Sequence, residues 1–178
     1  MFSIKKPLRI SAFSSLLIGI TALQSCSTSK SEQISTNITV SSEGPYFSGS
    51  NSFFSEYSVD LTSLISEKPL AADDIKSIKL SKASVQHIEN SDFDFNQFNS
   101  ASLQVVSDNA PMTSIAILNP IPENATTTIQ INASKEADLA EYFKESSFTY
   151  LFDLDFKEDD YSDAMSFSLD LEFIIEYN

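Results

Sequence analysis

Apolar and polar residues alternate with a period of two along most of this chain. The run at the C-terminus is the cleanest: Met165, Phe167, Leu169, Leu171, Phe173, Ile175 and Tyr177 are apolar or aromatic, with Ser166, Ser168, Asp170, Glu172, Ile174 and Glu176 between them. Successive side chains of a strand point to opposite faces, so this run predicts a half-buried strand with one wet face. Phe148, Tyr150, Phe152, Leu154 and Phe156 repeat the pattern against Thr149, Asp153, Asp155 and Lys157. The stretch between the two runs is polar or acidic apart from Tyr161 and Ala164, which predicts that they pair as an antiparallel hairpin. Shorter alternations occur at Ile38/Val40, Tyr57/Val59/Leu61, Leu103/Val105, Ile115/Ile117 and Ile129/Ile131. Between Ile75 and Ile88 the apolar parity switches, from Ile78 and Leu80 to Ala83 and Val85. One extra residue flips the face of a strand, so a bulge is expected near Ser81-Lys82.

One segment departs from this period. Ser134 precedes Lys135-Glu136-Ala137-Asp138, and Leu139, Tyr142 and Phe143 then follow at helical spacing, which predicts a short helix over 135–145. Pro120 and Pro122 end the strand around Ile117. Seven to eight short strands separated by turn signals point to an antiparallel β-sandwich, with a closed β-barrel as the alternative. A single domain over 37–178 is expected, long enough to bury a core without staples.

The first 25 residues are of another kind. Lys5, Lys6 and Arg9 precede a mostly apolar run from Ile10 to Leu23. That run is short for a membrane span and has the layout of a secretory signal peptide. Leu23-Gln24-Ser25-Cys26 follows where cleavage is expected, and Cys26 is the one cysteine of the chain. These four residues resemble the lipobox of bacterial lipoproteins. The resemblance implies removal of 1–25, acylation of Cys26 and anchoring through its two or three acyl chains, each buried CH₂ contributing about 0.8 kcal/mol. Ser27 rather than Asp after the cysteine implies, within that family, transport to the outer membrane. The following segment to Glu32 holds one acid, which leaves the periplasmic and surface faces both open. Residues 26–36 are expected to form a lipidated, flexible tether reaching about 20 Å.

Position also changes the meaning of the charge. The whole chain carries −14. Without 1–25 it has eight lysines, no arginine and 25 acids, a net charge of −17. Phosphate recognition needs basic side chains, so a nucleic-acid partner is excluded. A lone cysteine forms no internal disulfide.

Candidate chemistry is sparse. His87 is the only histidine, and no glycine follows Gly49, so the nucleophile elbow, the P-loop and the dinucleotide fingerprint are all absent. His87 is expected to be structural. Asp153, Asp155, Glu158, Asp159, Asp160 and Asp163 offer oxygen ligands of the kind calcium takes. Their spacing does not match an EF-hand, because Lys157 takes the third ligand position and no glycine follows, so a solvated acidic turn is expected, with no metal and no cofactor assigned and calcium left as the alternative. Tyr46, Phe47, Phe53, Phe54 and Tyr57 cluster around a Ser/Gly stretch. Phe53 and Phe54 must face opposite ways on a strand, leaving one exposed as a contact for a partner. Phe93, Phe95 and Phe98 are expected in the core.

The stretch Asp74-Ile75-Lys76-Ser77-Ile78-Lys79-Leu80, the Phe93-Asp94-Phe95 hook and the terminal strand pair are similar to small lipoproteins of Bacteroidota. In those proteins the mature part is an immunoglobulin-like β-sandwich, and that similarity implies the same fold here; it brings no activity with it, and the missing catalytic motifs lead to the expectation of a protein that is not an enzyme. The expected role is binding, to an envelope protein or an extracellular ligand. A structural or protective lipoprotein is the alternative, and a hydrolase comes last.

Overall fold

The computed structural model describes residues 29–88 and 93–178. The signal segment, the lipobox and Cys26 lie outside the described residues. Eight strands form: β1 (Lys30–Glu43), β2 (Gly49–Ser58), β3 (Ile75–His87), β4 (Phe98–Val106), β5 (Thr113–Leu118), β6 (Thr128–Ala133), β7 (Ser147–Phe156) and β8 (Ala164–Tyr177). All pairings are antiparallel, and the order β1-β2-β7-β4-β5-β6-β3-β8 closes on itself through β8–β1. The protein is therefore an all-β closed barrel, the alternative to the expected sandwich. Period-two burial is common to both architectures, and the fourteen-position ladder from Lys30↔Tyr177 to Glu43↔Ala164 is what joins the two edges. The opposite flank of β1 is held far less, pairing with β2 only at Ser41↔Phe54.

The predicted bulge is present, as the β3–β8 register shifts between Leu80 and Lys82. Ile78, Leu80, Ala83 and Val85 are all buried as a result. A second bulge was not legible. The β4–β5 register steps from Leu103↔Ala116 to Gln104↔Ser114, so Ile115 is the extra residue and Ile117 turns outward.

Three further expectations are corrected. The runs of β7 and β8 are not a hairpin: β7 lies between β2 and β4, and β8 between β1 and β3. They meet across the interior instead, where Phe152 and Phe167 have ring centroids 5.5 Å apart. The segment 135–145 is not a helix beyond one 3₁₀ turn, Tyr142–Lys144. The first half of the segment is tied to β3, because Leu139 N donates to Ile78 O at 2.7 Å and the Asp138 side chain accepts from Ile78 N at 3.0 Å, and only the last turn bonds to itself, as in Phe143 N to Leu139 O at 3.1 Å. Within the expected tether, residues 30–36 belong to β1.

One helical turn that the pattern missed, α1 (Leu61–Ile65), starts at Asp60, whose side chain accepts from Ser63 N at 2.9 Å. That bond holds the Asp60 carboxyl below its ordinary range.

The interior is aromatic at both ends. Tyr46, Phe53, Phe93, Phe95, Phe98, Phe156 and Phe167 pack at the end where β1 finishes. Tyr57, Tyr142, Phe143, Phe148, Tyr150 and Phe173 pack at the end where β1 starts. Buried aliphatics such as Val40, Val85, Leu103, Leu169 and Leu171 lie along the strands between them.

Candidate binding surface

The two ends of the barrel differ in their connections. At the N-terminal end, where β1 starts, lie the β2–β3, β4–β5 and β6–β7 connections. At the opposite end lie β1–β2, β3–β4, β5–β6 and β7–β8.

Two connections at that opposite end are joined edge to edge. Because β7 and β8 are separated by β1 and β2, the 157–163 connection must cross the β1–β2 turn, and it bonds to that turn as it passes. Tyr46 N donates to Asp160 O at 2.8 Å and Asp160 N to Tyr46 O at 2.9 Å. Gly44 N donates to Asp163 O at 2.8 Å, and Ser48 N to Asp159 Oδ1 at 2.9 Å. The glycine is required by the approach itself: a Cβ on Gly44 would lie 2.0 Å from the Ser162 carbonyl oxygen.

Tyr46 plugs the barrel beneath this zipper. Its ring stacks on Phe53 at 5.5 Å and Phe156 at 5.4 Å, and its hydroxyl donates to Ser42 O at 2.6 Å. Burial pushes its phenol above the ordinary value. With Tyr46 turned in, Phe47 turns out and is 58% exposed. Its backbone is fixed nonetheless, since Phe47 N donates to Asn51 Oδ1 at 3.2 Å and Asn51 Nδ2 donates to Phe47 O at 2.6 Å. Tyr161, 75% exposed, stands on the other half of the zipper with its hydroxyl 3.4 Å from Asp159 Oδ2. Phe54 is exposed on the outer wall of β2 while Phe53 is fully buried, as their opposite parity requires. Next to the zipper a depression of about 330 Å³ is lined by Gln97, Phe156, Lys157, Glu158, Asp159 and Asp160.

The acids of the expected acidic turn are dispersed. Asp153 accepts from Ser52 at 2.5 Å and Gln104 at 2.6 Å on the outer wall, and Asp155 from Asn99 at 3.2 Å. Asp160 Oδ1 accepts from Ser162 N at 2.8 Å. Among the described residues no three His, Cys, Asp or Glu side chains are placed to hold a metal ion.

His87 is buried, stacked on Phe93 at 4.3 Å with Phe167 edge-on at 5.3 Å. It shares a depression with Asp160 and Ser162, a grouping the sequence separation concealed. A triad requires the serine hydroxyl to donate to the imidazole. Ser162 Oγ is bonded to the Asp160 carboxylate instead. Phe93, Phe95 and Phe98 are in the core, as expected.

The wall formed by β1, β8 and β3 is a polar ladder whose groups satisfy one another. Asn37 Nδ2 donates to Ser168 and Asp170, Gln33 Nε2 donates to Glu172, and Lys82 pairs with Glu172 at 2.9 Å.

No family model matches the sequence, and no curated protein is similar to it. Among solved structures, the crystal structure of FLHE is similar over 84% of this chain and 97% of its own, at 12% identity and a TM-score of 0.30. The structure of Cocksfoot mottle virus is similar over 98% and 97%, at 9% identity and a TM-score of 0.25. Similarity at this level carries no argument about function.

Proposed function

We propose that this chain is an outer-membrane lipoprotein of the cell envelope, held by acyl chains on Cys26, that acts by binding and not by catalysis. Its ligand is a partner protein of the envelope or an extracellular molecule, taken up at the zipped end of the barrel. The observation that carries the binding reading is Phe47. It is a large apolar side chain exposed on a backbone that Asn51 clamps from both sides, and Tyr161 is exposed on the connection zipped to that turn. Aromatic side chains on a fixed backbone lose little freedom on binding, which is the property of a contact anchor. Exposed rings that served only solubility would gain nothing from such bracing.

The test pairs fractionation with crosslinking in intact envelopes. Cys26→Ala is expected to leave the membrane fraction or to accumulate unprocessed. Phe47→Ser combined with Tyr161→Ser is expected to keep the protein folded and membrane-bound while abolishing a discrete crosslinked adduct formed by the unaltered protein. If the double variant gives the same adducts, or the unaltered protein gives none, the binding reading fails. The alternative of a structural or protective lipoprotein, which the self-satisfied polar wall favours, then replaces it.

A further inference from the structure

We infer that the gap between β1 and β2 is a docking slot for an extended, basic segment of a partner polypeptide, which adds as a strand to the open edge of β1. The inference is separate from the contact proposed at the zipped end and needs neither Phe47 nor an acylated Cys26.

The edge itself states what it can bind. Neighbouring residues of a strand direct their N–H and C=O groups to opposite sides, so β1, laddered to β8 along its whole length, turns the backbone of alternate residues toward β2. β2 meets it only at Ser41↔Phe54. Among the described residues no loop backbone bonds to β1 between Lys30 and Thr39, and the β2–β3 connection reaches it through one ion pair, Lys68 to Glu32 at 3.4 Å. Donors and acceptors repeating at every second residue match another extended main chain. The devices that blunt an exposed edge are missing, since no charge, proline or glycine occurs from Gln33 to Ser42. The gap is open on its inner side as well. Thr36, Ser55 and Tyr57 point inward on β1 and β2 yet are only half-buried, whereas the inward residues of β7 and β8 are buried throughout. An incoming strand would set its inner side chains on Thr36, Ile38 and Tyr57 and its outer ones beside Ser35, Asn37 and Thr39, which suits alternating apolar and polar residues.

Charge selects the occupant. β1 and β2 carry Glu32, Glu43 and Glu56 against the single Lys30, and Lys30 lies over the Tyr177 ring on the β8 side, 5.9 Å from its centroid. At the closed end of the gap, a depression of about 610 Å³ on the outer wall holds Glu43 and the exposed Phe54. A ring face for the stem and a carboxylate for the head suit a lysine or arginine side chain. A second copy of this chain would bring the same acids to the same edge, so like charges oppose self-pairing there.

Residue-resolved hydrogen exchange of the whole purified protein tests this, with and without acetylated peptides of about seven residues that alternate valine with lysine or threonine. Amides of β1 between Gln33 and Thr39 that face β2 are expected to slow roughly fivefold or more at saturating peptide. Methylating the backbone nitrogens of the peptide is expected to abolish the slowing, because it removes the donors of the added strand. Glu43→Gln combined with Phe54→Ser, two exposed positions, is expected to weaken peptide binding about fivefold or more while leaving the melting temperature in place. No slowing at millimolar peptide, equal slowing by the methylated peptide, slowing confined to the zipped end, or undiminished affinity in the double variant overturns the proposal. Slowing that appears without peptide and grows with protein concentration makes a second copy the occupant, and overturns it too.

Discussion

Tyr150 is the residue at which the interior is least satisfied. It is fully buried, and among the described residues its hydroxyl has no hydrogen-bond partner. Removing a buried polar group that makes no bond relieves its desolvation cost, so Tyr150→Phe is expected to stabilise the protein by about 1 kcal/mol. Thermal melting at neutral pH checks this, with a rise of about 2–4 °C expected for a domain of this size. Burial also pushes the Tyr150 phenol far above its ordinary value of 10.0, while in the unfolded chain it ionises near that value. The folded state therefore binds this proton more tightly. Its contribution to stability is complete below about pH 10 and declines as pH rises beyond it. Tyr150→Phe should flatten the alkaline limb of a stability–pH profile, and an unchanged limb would contradict the assignment. Gly44→Ala acts in the opposite direction: a Cβ 2.0 Å from the Ser162 carbonyl oxygen forces the zipper apart. A loss of about 1–3 kcal/mol is expected in denaturant titration. Phe47→Ser, by contrast, should change stability by less than about 0.5 kcal/mol, because that ring already lies in water.

At the scale of elements, the barrel has one strong closure and one weak one. β1 meets β8 at every residue but meets β2 at a single pair. Amides of β1 aimed at β8 are expected to exchange with solvent at least tenfold more slowly than those aimed at β2, and residue-resolved hydrogen exchange reads this directly. Uniform protection along both flanks would mean that β2 pairs more fully in solution. The elements also show which physics was legible in the sequence. Alternation in β7 and β8, the parity switch at Ser81-Lys82 and the split of Phe53 from Phe54 are local consequences of side-chain period, and they read off directly. The hairpin between β7 and β8 did not form because pairing partners depend on where the rest of the chain runs, which period does not encode. The segment 135–145 has helical spacing, but Asp138 and Leu139 bond to Ile78, a contact 60 residues away. Ile117 was misplaced because a bulge at Ile115 carries no composition signal of its own.

At the scale of the molecule, closure into a barrel decides where function has room to act. Aromatic rings fill both ends of the interior, so the exposed ends and wall are the available surfaces. The zipped end is only half legible in the sequence: the aromatic cluster from Tyr46 to Tyr57 is local, but Tyr161 reaches the same end through the crossing of 157–163 over the β1–β2 turn. The early start of β1 replaces most of the expected tether with strand and brings the barrel close to its proposed anchor. That arrangement depends on one covalent event at Cys26. Mass spectrometry of the N-terminal peptide from protein purified out of bacterial membranes tests it most directly. The expected species begins at Cys26 and carries two or three acyl chains. A mature chain that begins at any other residue, or that carries Cys26 as a free thiol, would contradict the account.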